Sequence, residues 1–288
     1  MSVTGTEKQL IQLGHSPDSD DAFMFWGLAS GEVQSSYEFH HILRDIQTLN
    51  EWAMEGKLES SAVSVHAFAY VADKYALLRH GGSFGEEYGP MIVSETELSL
   101  DELRETVIAV PGLLTSAYLQ LNLWFADKFG EGVKPKYEVV PFDEIIDRIK
   151  DGTYKAGLII HEGQLTYGRD GLVKLADMGI WWKEKTGLPL PLGVNTVRKD
   201  LGPEAVIEIS RCMRESISAG LNNREKALEY ALQFARGMDT ETSDEFVGMY
   251  VNQRTLDMGD EGVKAIRLLL SEGARIGLVP AVQVDVVD

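Results

Sequence analysis

Two stretches of this chain place side chains able to hold an anion or move a proton beside a helix start or a strand end. In VPGLLTSAY, residues 110–118, a strand pattern ends at Gly112 and a helical pattern opens at Thr115 and Ser116. Free backbone N–H groups and two hydroxyls then converge, which makes an anion cradle. The same two residues would equally serve as an ordinary helix cap worth about 1 kcal/mol. In GLIIHEGQLTYG, residues 157–168, an apolar run delivers His161 and Glu162 at its C-terminal end, where open α/β sheets place their ligands. An imidazole there suits proton transfer near neutral pH, with a purely structural histidine as the competing reading. The zinc-protease reading fails, because HEGQL lacks a second histidine four residues on.

Other candidates carry less chemistry. HSPDSDDAF, residues 15–23, crowds Asp18, Asp20 and Asp21 together but lacks the central glycine and final glutamate of a calcium loop. Acidic residues in a first helical turn are explained by capping and the helix dipole, so no metal site is expected. His15, at the strand end before this turn, and the adjacent Ser16 are expected to face a cleft. GGSFG, residues 81–85, matches G-x-S-x-G, but EEYGP follows it where a hydrolase elbow needs a helix. A flexible loop is therefore expected, with Ser83 inert. His40, His41, His66 and His80 have no metal-ligand spacing. Of these, His66 merits keeping, because SVHAFAY again opens a helix after a short strand. The single cysteine, Cys212, excludes an intramolecular disulfide and sits in a helix-like context.

The elements that must position these residues alternate. Strand patterns at Gln9 to Leu13, Tyr37 to Leu43 and Ser61 to Val65 are separated by helical ones, including Asp45 to Glu55 with apolar residues at Ile46, Leu49, Trp52 and Ala53. Tyr75 to His80 and Pro90 to Ser94 bracket a glycine-rich loop, after which a crossing to another lobe is expected. Thr106 to Pro111, a long helix ending at Gly130, a strand from Tyr137 to Pro141, a helix from Phe142 to Lys150 and a strand from Ala156 to Ile160 make a second compact α/β unit. After a Trp- and Pro-rich passage, helices at Pro203 to Ala219, Asn223 to Arg236 and Glu261 to Glu272 are expected to return to the first unit.

At 288 residues and 44% hydrophobic composition the chain is long enough for two lobes at roughly 150 residues per domain. Its charge of -18, from 45 acidic and 27 basic residues, argues against nucleic acid or an anionic membrane as partner. An anionic ligand would then need local positive potential, most economically from helix N-termini. No stretch approaches the roughly 20 apolar residues of a membrane span. The first sixteen residues do not resemble a secretory signal, so a cytoplasmic address is expected. A homodimer is compatible with all of this.

Taken together, GHSPDSDDAFMFWGL, SAVSVHAFAY, YGPMIVS, VPGLLTSAYL and AGLIIHEGQLTY, in this order and spacing, resemble the menaquinone-biosynthesis family that contains 1,4-dihydroxy-6-naphthoate synthase and chorismate dehydratase. The match runs from about Leu13 to Tyr167 and lies closest to the naphthoate synthase branch. The resemblance implies a type II periplasmic-binding-protein-like α/β fold with a ligand cleft between two lobes. With the element order, it suggests residues 1–104 and 197–288 as lobe I and 105–196 as lobe II. It further implies a lyase of the futalosine pathway, without metal or organic cofactor, that converts cyclic dehypoxanthine futalosine to the dihydroxynaphthoate by base-driven elimination. His161 would be the base, Thr115 and Ser116 would meet the substrate carboxylate, and Ser64 would line the pocket. Chorismate dehydration and simple capture of a small aromatic carboxylate are the alternatives. One departure stands out: Asp18, Ser19 and Asp20 replace a cysteine, a proline and an asparagine of the family pattern. An added carboxylate near an anionic substrate should repel it unless it turns away or meets a cation.

Overall fold

The computed structural model describes residues 8–235 and 239–288. Its strands are β1 (Gln9–His15), β2 (Tyr37–Leu43), β3 (Ser60–Ser64), β4 (Tyr75–Leu78), β5 (Ser83–Gly85), β6 (Met91–Ser94), β7 (Val107–Val110), β8 (Lys136–Val139), β9 (Ala156–Ile159), β10 (Val173–Asp177), β11 (Leu190–Arg198) and β12 (Val286–Val287). They form two sheets. The first runs β12-β4-β11-β3-β1-β2 with β5 paired to β11, and the second runs β10-β6-β9-β7-β8. Central strands such as Ser60–Ser64 and Val107–Val110 are short and almost wholly buried, whereas the edge strand Tyr37–Leu43 alternates toward solvent.

The crossing falls earlier than residue 104 and the return earlier than 197. β6 already belongs to the second sheet, and β11 has rejoined the first from Leu190. The glycine-rich stretch 81–89 is therefore the crossing itself, and its SFG segment is strand β5 rather than a loop. The first turn of the helix Met178–Thr186 packs against the crossing there at close range. A Cβ on Gly85 would lie 1.9 Å, and one on Gly179 2.0 Å, from the Tyr88 carbonyl oxygen. Met178 N–H donates to the Pro90 carbonyl at 2.9 Å beside them.

One buried cluster runs through both lobes. It joins Val63 and Leu77 of the first sheet to Ile108 and Leu158 of the second, by way of Leu119, Leu121 and Phe125 on the helix Ser116–Phe129. Trp181 and Trp182 belong to it. Trp181 Nε1 donates to Asp127 at 2.9 Å and Trp182 Nε1 to the Pro189 carbonyl at 3.1 Å, so both pack the hinge. The helix Pro203–Asn222 returns to the first sheet as expected, placing Ile209, Met213 and Ile217 against Ile11, Leu13 and Val197. The helix expected to end at Arg236 is observed as Arg224–Ala231, and Arg236 lies outside the described residues. The helix Thr240–Tyr250 was not anticipated. Its first half, TETSDE, is polar, and of its buried residues Thr242, Ser243, Phe246, Val247 and Tyr250 only the last three are large and apolar or aromatic. Among the described residues no helix is long and apolar enough to cross a membrane.

If the close crossing fixes the lobes, Gly179→Ala should destabilise the protein by about 1–3 kcal/mol through overpacking. Urea unfolding measures this, and an unchanged midpoint would show that the Tyr88 segment can yield.

Candidate functional site

The ends of β1, β3, β7 and β9 and the start of β11 open onto one cleft, enclosing about 800 Å³ when its mouth is counted. Its wall includes Ser16, Asp18, Asp20, Ser64, Thr115, Ser116, His161, Gln164, Asn195 and Tyr250. None of the described residues lining it is a lysine or arginine. Positive potential must come from elsewhere.

The helix Ser116–Phe129 supplies it. Thr115 is its cap: the hydroxyl accepts from Tyr118 N–H at 3.2 Å and donates to the Gly112 carbonyl at 2.8 Å. Ser116 Oγ donates to the Leu192 carbonyl and accepts from His66 N–H at 3.3 Å. Both hydroxyls are thus engaged in protein contacts. The amides at the very start of a helix have no intrahelical acceptor, so those of Ser116 and Ala117, both lining the cleft, are donors turned to it and suited to an anion. Gly112 makes this turn possible. Its φ is +152°, and a Cβ there would strike the Gln47 side chain, whose Oε1 accepts from Leu114 N–H at 3.1 Å.

Ser64 ends β3 and lines the same cleft. The fully buried Asn50 accepts from its N–H at 2.8 Å and donates to its hydroxyl at 3.0 Å and to the Leu114 carbonyl at 3.2 Å. Asn50 therefore ties the ends of β3 and β7 together. Sequence reading missed it, because a lone Asn on an amphipathic helix carries no signal until its partners are known.

His15, expected to face the cleft, instead points beneath it. Its Nε2 meets His41 Nδ1 at 2.9 Å, its Nδ1 meets the Ser16 carbonyl at 3.0 Å, and its ring lies 4.5 Å from that of Phe25. Burial, followed by repulsion from His41, pushes its pKa down to about 3. The strand pleat puts the next residue, Ser16, on the cleft instead. His66 is also buried, with Nδ1 3.0 Å from the Thr115 carbonyl, and holds the helix start from behind. Ser83 reaches the cleft from β5, between strands rather than at a strand-to-helix elbow.

The acidic turn is part of the site. Asp18 occupies the N-cap of the helix Ser19–Met24 by backbone geometry, but its side chain does not cap. Asp18 Oδ2 instead accepts from Ser16 Oγ at 2.5 Å and lies 3.0 Å from His161 Nδ1. Of the two carboxylates that depart from the family pattern, Asp18 thus meets the imidazole. Asp21 Oδ2 accepts from Ser16 N–H at 2.7 Å, and burial, aided by Asp18, lifts its pKa to about 7. Asp20 is held well above the carboxylate range, first by burial and then by Asp21 and Asp18. Its Oδ1 is buried without a hydrogen-bond partner among the described residues. Among those residues no group of His, Cys, Asp and Glu is arranged to hold a metal ion.

His161 follows β9 with φ of +55°, a left-handed backbone uncommon outside glycine. Phe142 packs on its ring with centroids 4.9 Å apart. Its Nε2 is buried with no hydrogen-bond partner among the described residues. Three residues on, Gln164 accepts from Tyr250 OH at 3.1 Å, a contact reaching from the second lobe to a helix of the first. Glu162, delivered with His161, does not line the cleft.

Two sheet lobes flanking a cleft walled by helix amides and, among the described residues, one imidazole define a binding-protein-like scaffold. A family model described as menaquinone biosynthesis matches residues 11–275. The chain is 40% identical to 1,4-dihydroxy-6-naphtoate synthase of Thermus thermophilus over 271 residues, covering 94% of this chain and 96% of that protein. It is also 40% identical to the enzyme of the same name from Streptomyces coelicolor over 275 residues, 96% of each. The crystal structure of protein AF1704 from Archaeoglobus fulgidus superposes with a TM-score of 0.89 at 40% identity, covering 95% of this chain and all of that one. The alkanesulfonate-binding protein SsuA of Xanthomonas axonopodis pv. citri superposes with a TM-score of 0.72 at 14% identity, over 96% of each chain, and shares the periplasmic-binding-protein fold. The chain belongs to the menaquinone biosynthesis family.

The Asp21 carboxyl gives a prediction with a definite sign. Between its ordinary pKa of 3.8 and about 7 the folded protein holds a proton that the unfolded chain has released. That contribution to stability is complete below pH 3.8 and is lost as pH rises through 7. Asp21→Asn keeps an acceptor for Ser16 N–H and removes the titration. Its melting temperature relative to the parent should therefore be more favourable at pH 8 than at pH 5, and equal differences at both would contradict the raised pKa.

Proposed function

We propose that this chain is a lyase of menaquinone biosynthesis that converts cyclic dehypoxanthine futalosine to 1,4-dihydroxy-6-naphthoate. The identity of 40% across nearly the whole length to two enzymes of that name supports the activity. The observation that carries the chemistry is His161, whose Nε2 has no hydrogen-bond partner among the described residues and lies in a cleft that also offers free helix amides.

The substrate carboxylate binds the amides of Ser116 and Ala117, with Thr115 holding the helix start and Ser64 forming the wall beside it. Closure of the lobes removes water from the reacting centre. His161 then takes a carbon-bound proton on Nε2, and the electron pair left behind expels the leaving group in an elimination. A positioned general base contributes about 10²- to 10⁴-fold in rate. Burial pushes the Asp20 carboxyl toward its protonated form, and in that form it donates a hydrogen bond to a substrate oxygen without repelling the anion. We place the enzyme in the cytoplasm with a small carboxylate as its partner; the net charge of -18 supports neither nucleic acid nor an anionic surface.

Purified protein should form the naphthoate from cyclic dehypoxanthine futalosine, followed by absorbance and mass, and should leave chorismate unchanged. His161→Ala should lower kcat by about 10²- to 10⁴-fold while product affinity is largely kept. Saturable binding of an aromatic carboxylate with no turnover of either substrate would instead make the chain a solute-binding protein.

A further inference from the structure

The Asp18–His161 contact joins the two lobes. Asp18 precedes the first helix of the lobe built on β1, and His161 follows β9 in the other sheet. We propose that Asp18 is the positioning residue of the base, and that closure of the cleft assembles the Ser16–Asp18–His161 array from halves held on separate lobes. The proposal rests on the reading of His161 as the base.

Three observations carry it. The first is geometric: Asp18 Oδ2 lies 3.0 Å from His161 Nδ1, with the Asp18 side chain only 2% exposed. A carboxylate only accepts, so the imidazole proton sits on Nδ1 and the lone pair of the neutral ring is left on Nε2, which has no hydrogen-bond partner among the described residues. The second is orientation. Ser16 Oγ donates to the same Asp18 oxygen at 2.5 Å, while Phe142 packs on the imidazole from the other lobe, so each half of the pair is fixed by its own lobe. The third is that the segment carrying His161 is fastened to the first lobe at two further points. Tyr250 OH donates to Gln164 Oε1 at 3.1 Å, and Arg169 donates to Thr242 Oγ1 at 3.2 Å. Opening the cleft by even a few ångströms would break all three contacts and leave the imidazole free to take either tautomer. The aspartate stands where the family pattern has a cysteine, so this chain would orient its base with a carboxylate oxygen.

The chemistry is a simple proton transfer. His161 Nε2 gains the substrate proton, the ring becomes imidazolium with its Nδ1–H still on Asp18, and the carboxylate stabilises that charge without taking the proton.

Two measurements test this. In Asp18→Asn, kcat should fall by about 10²- to 10⁴-fold, with KM within about threefold of the parent, because substrate contacts are untouched. In the ¹⁵N spectrum of the unmutated protein saturated with product, the His161 ring, assigned by its loss in His161→Gln, should show the Nδ1–H tautomer. This second measurement needs no variant at Asp18 and holds even if Asp18→Asn fails to fold. An Asp18→Asn enzyme that keeps kcat within threefold of the parent while His161→Ala does not, or an Nε2–H tautomer in the product complex, overturns the positioning role and leaves the base intact. Full turnover by His161→Ala would overturn the base itself, and the proposed array with it.

Discussion

The governing constraint on this molecule is charge inside a closing cleft. Asp18, Asp20 and Asp21 lie on the wall of a cavity read as binding an anion, and no lysine or arginine among the described residues lines it. Left ionised and unpaired, the buried Asp18 and Asp20 and the half-buried Asp21 would oppose both folding and binding. The structure meets this in three ways. Asp18 is set against His161, Asp20 and Asp21 are pushed by burial toward their protonated forms, and the positive potential facing the cleft comes from backbone amides of the helix Ser116–Phe129. Helix amides cannot be titrated away, and they need no flexible side chain that must be ordered first.

That solution depends on the lobes meeting in one register. The close passage of Tyr88 against Gly85 and Gly179 and the buried tryptophans beside it make the crossing stiff. β11 carries the return, pairing with β3, β4 and β5 in the same sheet. Its early residues Leu192 to Asn195 form the floor of the cleft. Hinge and floor are thus one strand, and any change of hinge geometry is felt at the site.

Much of this was legible in the sequence. The alternation of β-branched runs with amphipathic stretches gave β2 with the bounds observed, and it placed β9 and the helix at Ser116 to within a residue or two. Thr115, Ser116, Ser64, Ser16 and His161 all reach one cleft. What stayed hidden has physical causes. Pro189 and Pro191 mask β11 as a proline-rich passage, because a proline removes a ladder donor and lowers strand propensity, although here the strand tolerates Pro191. Asn195 went unseen with it. Asp18 read as a helix cap, since its local spacing is that of a cap; only the fold brings residue 161 within 3.0 Å of it. His15 failed in the opposite direction. Its type and place suggested the cleft, but a strand end offers two faces, and the ring took the one lined by Phe25 and His41.

The central claim is that proton removal from carbon by a group in this cleft drives the elimination. It is tested most directly by single-turnover kinetics with cyclic dehypoxanthine futalosine carrying deuterium on its saturated ring carbons. A slower single-turnover rate for the deuterated substrate, with naphthoate as product, is the result the account predicts. Equal rates for the two substrates with the same product formed would contradict it and move the bond-breaking step away from the base.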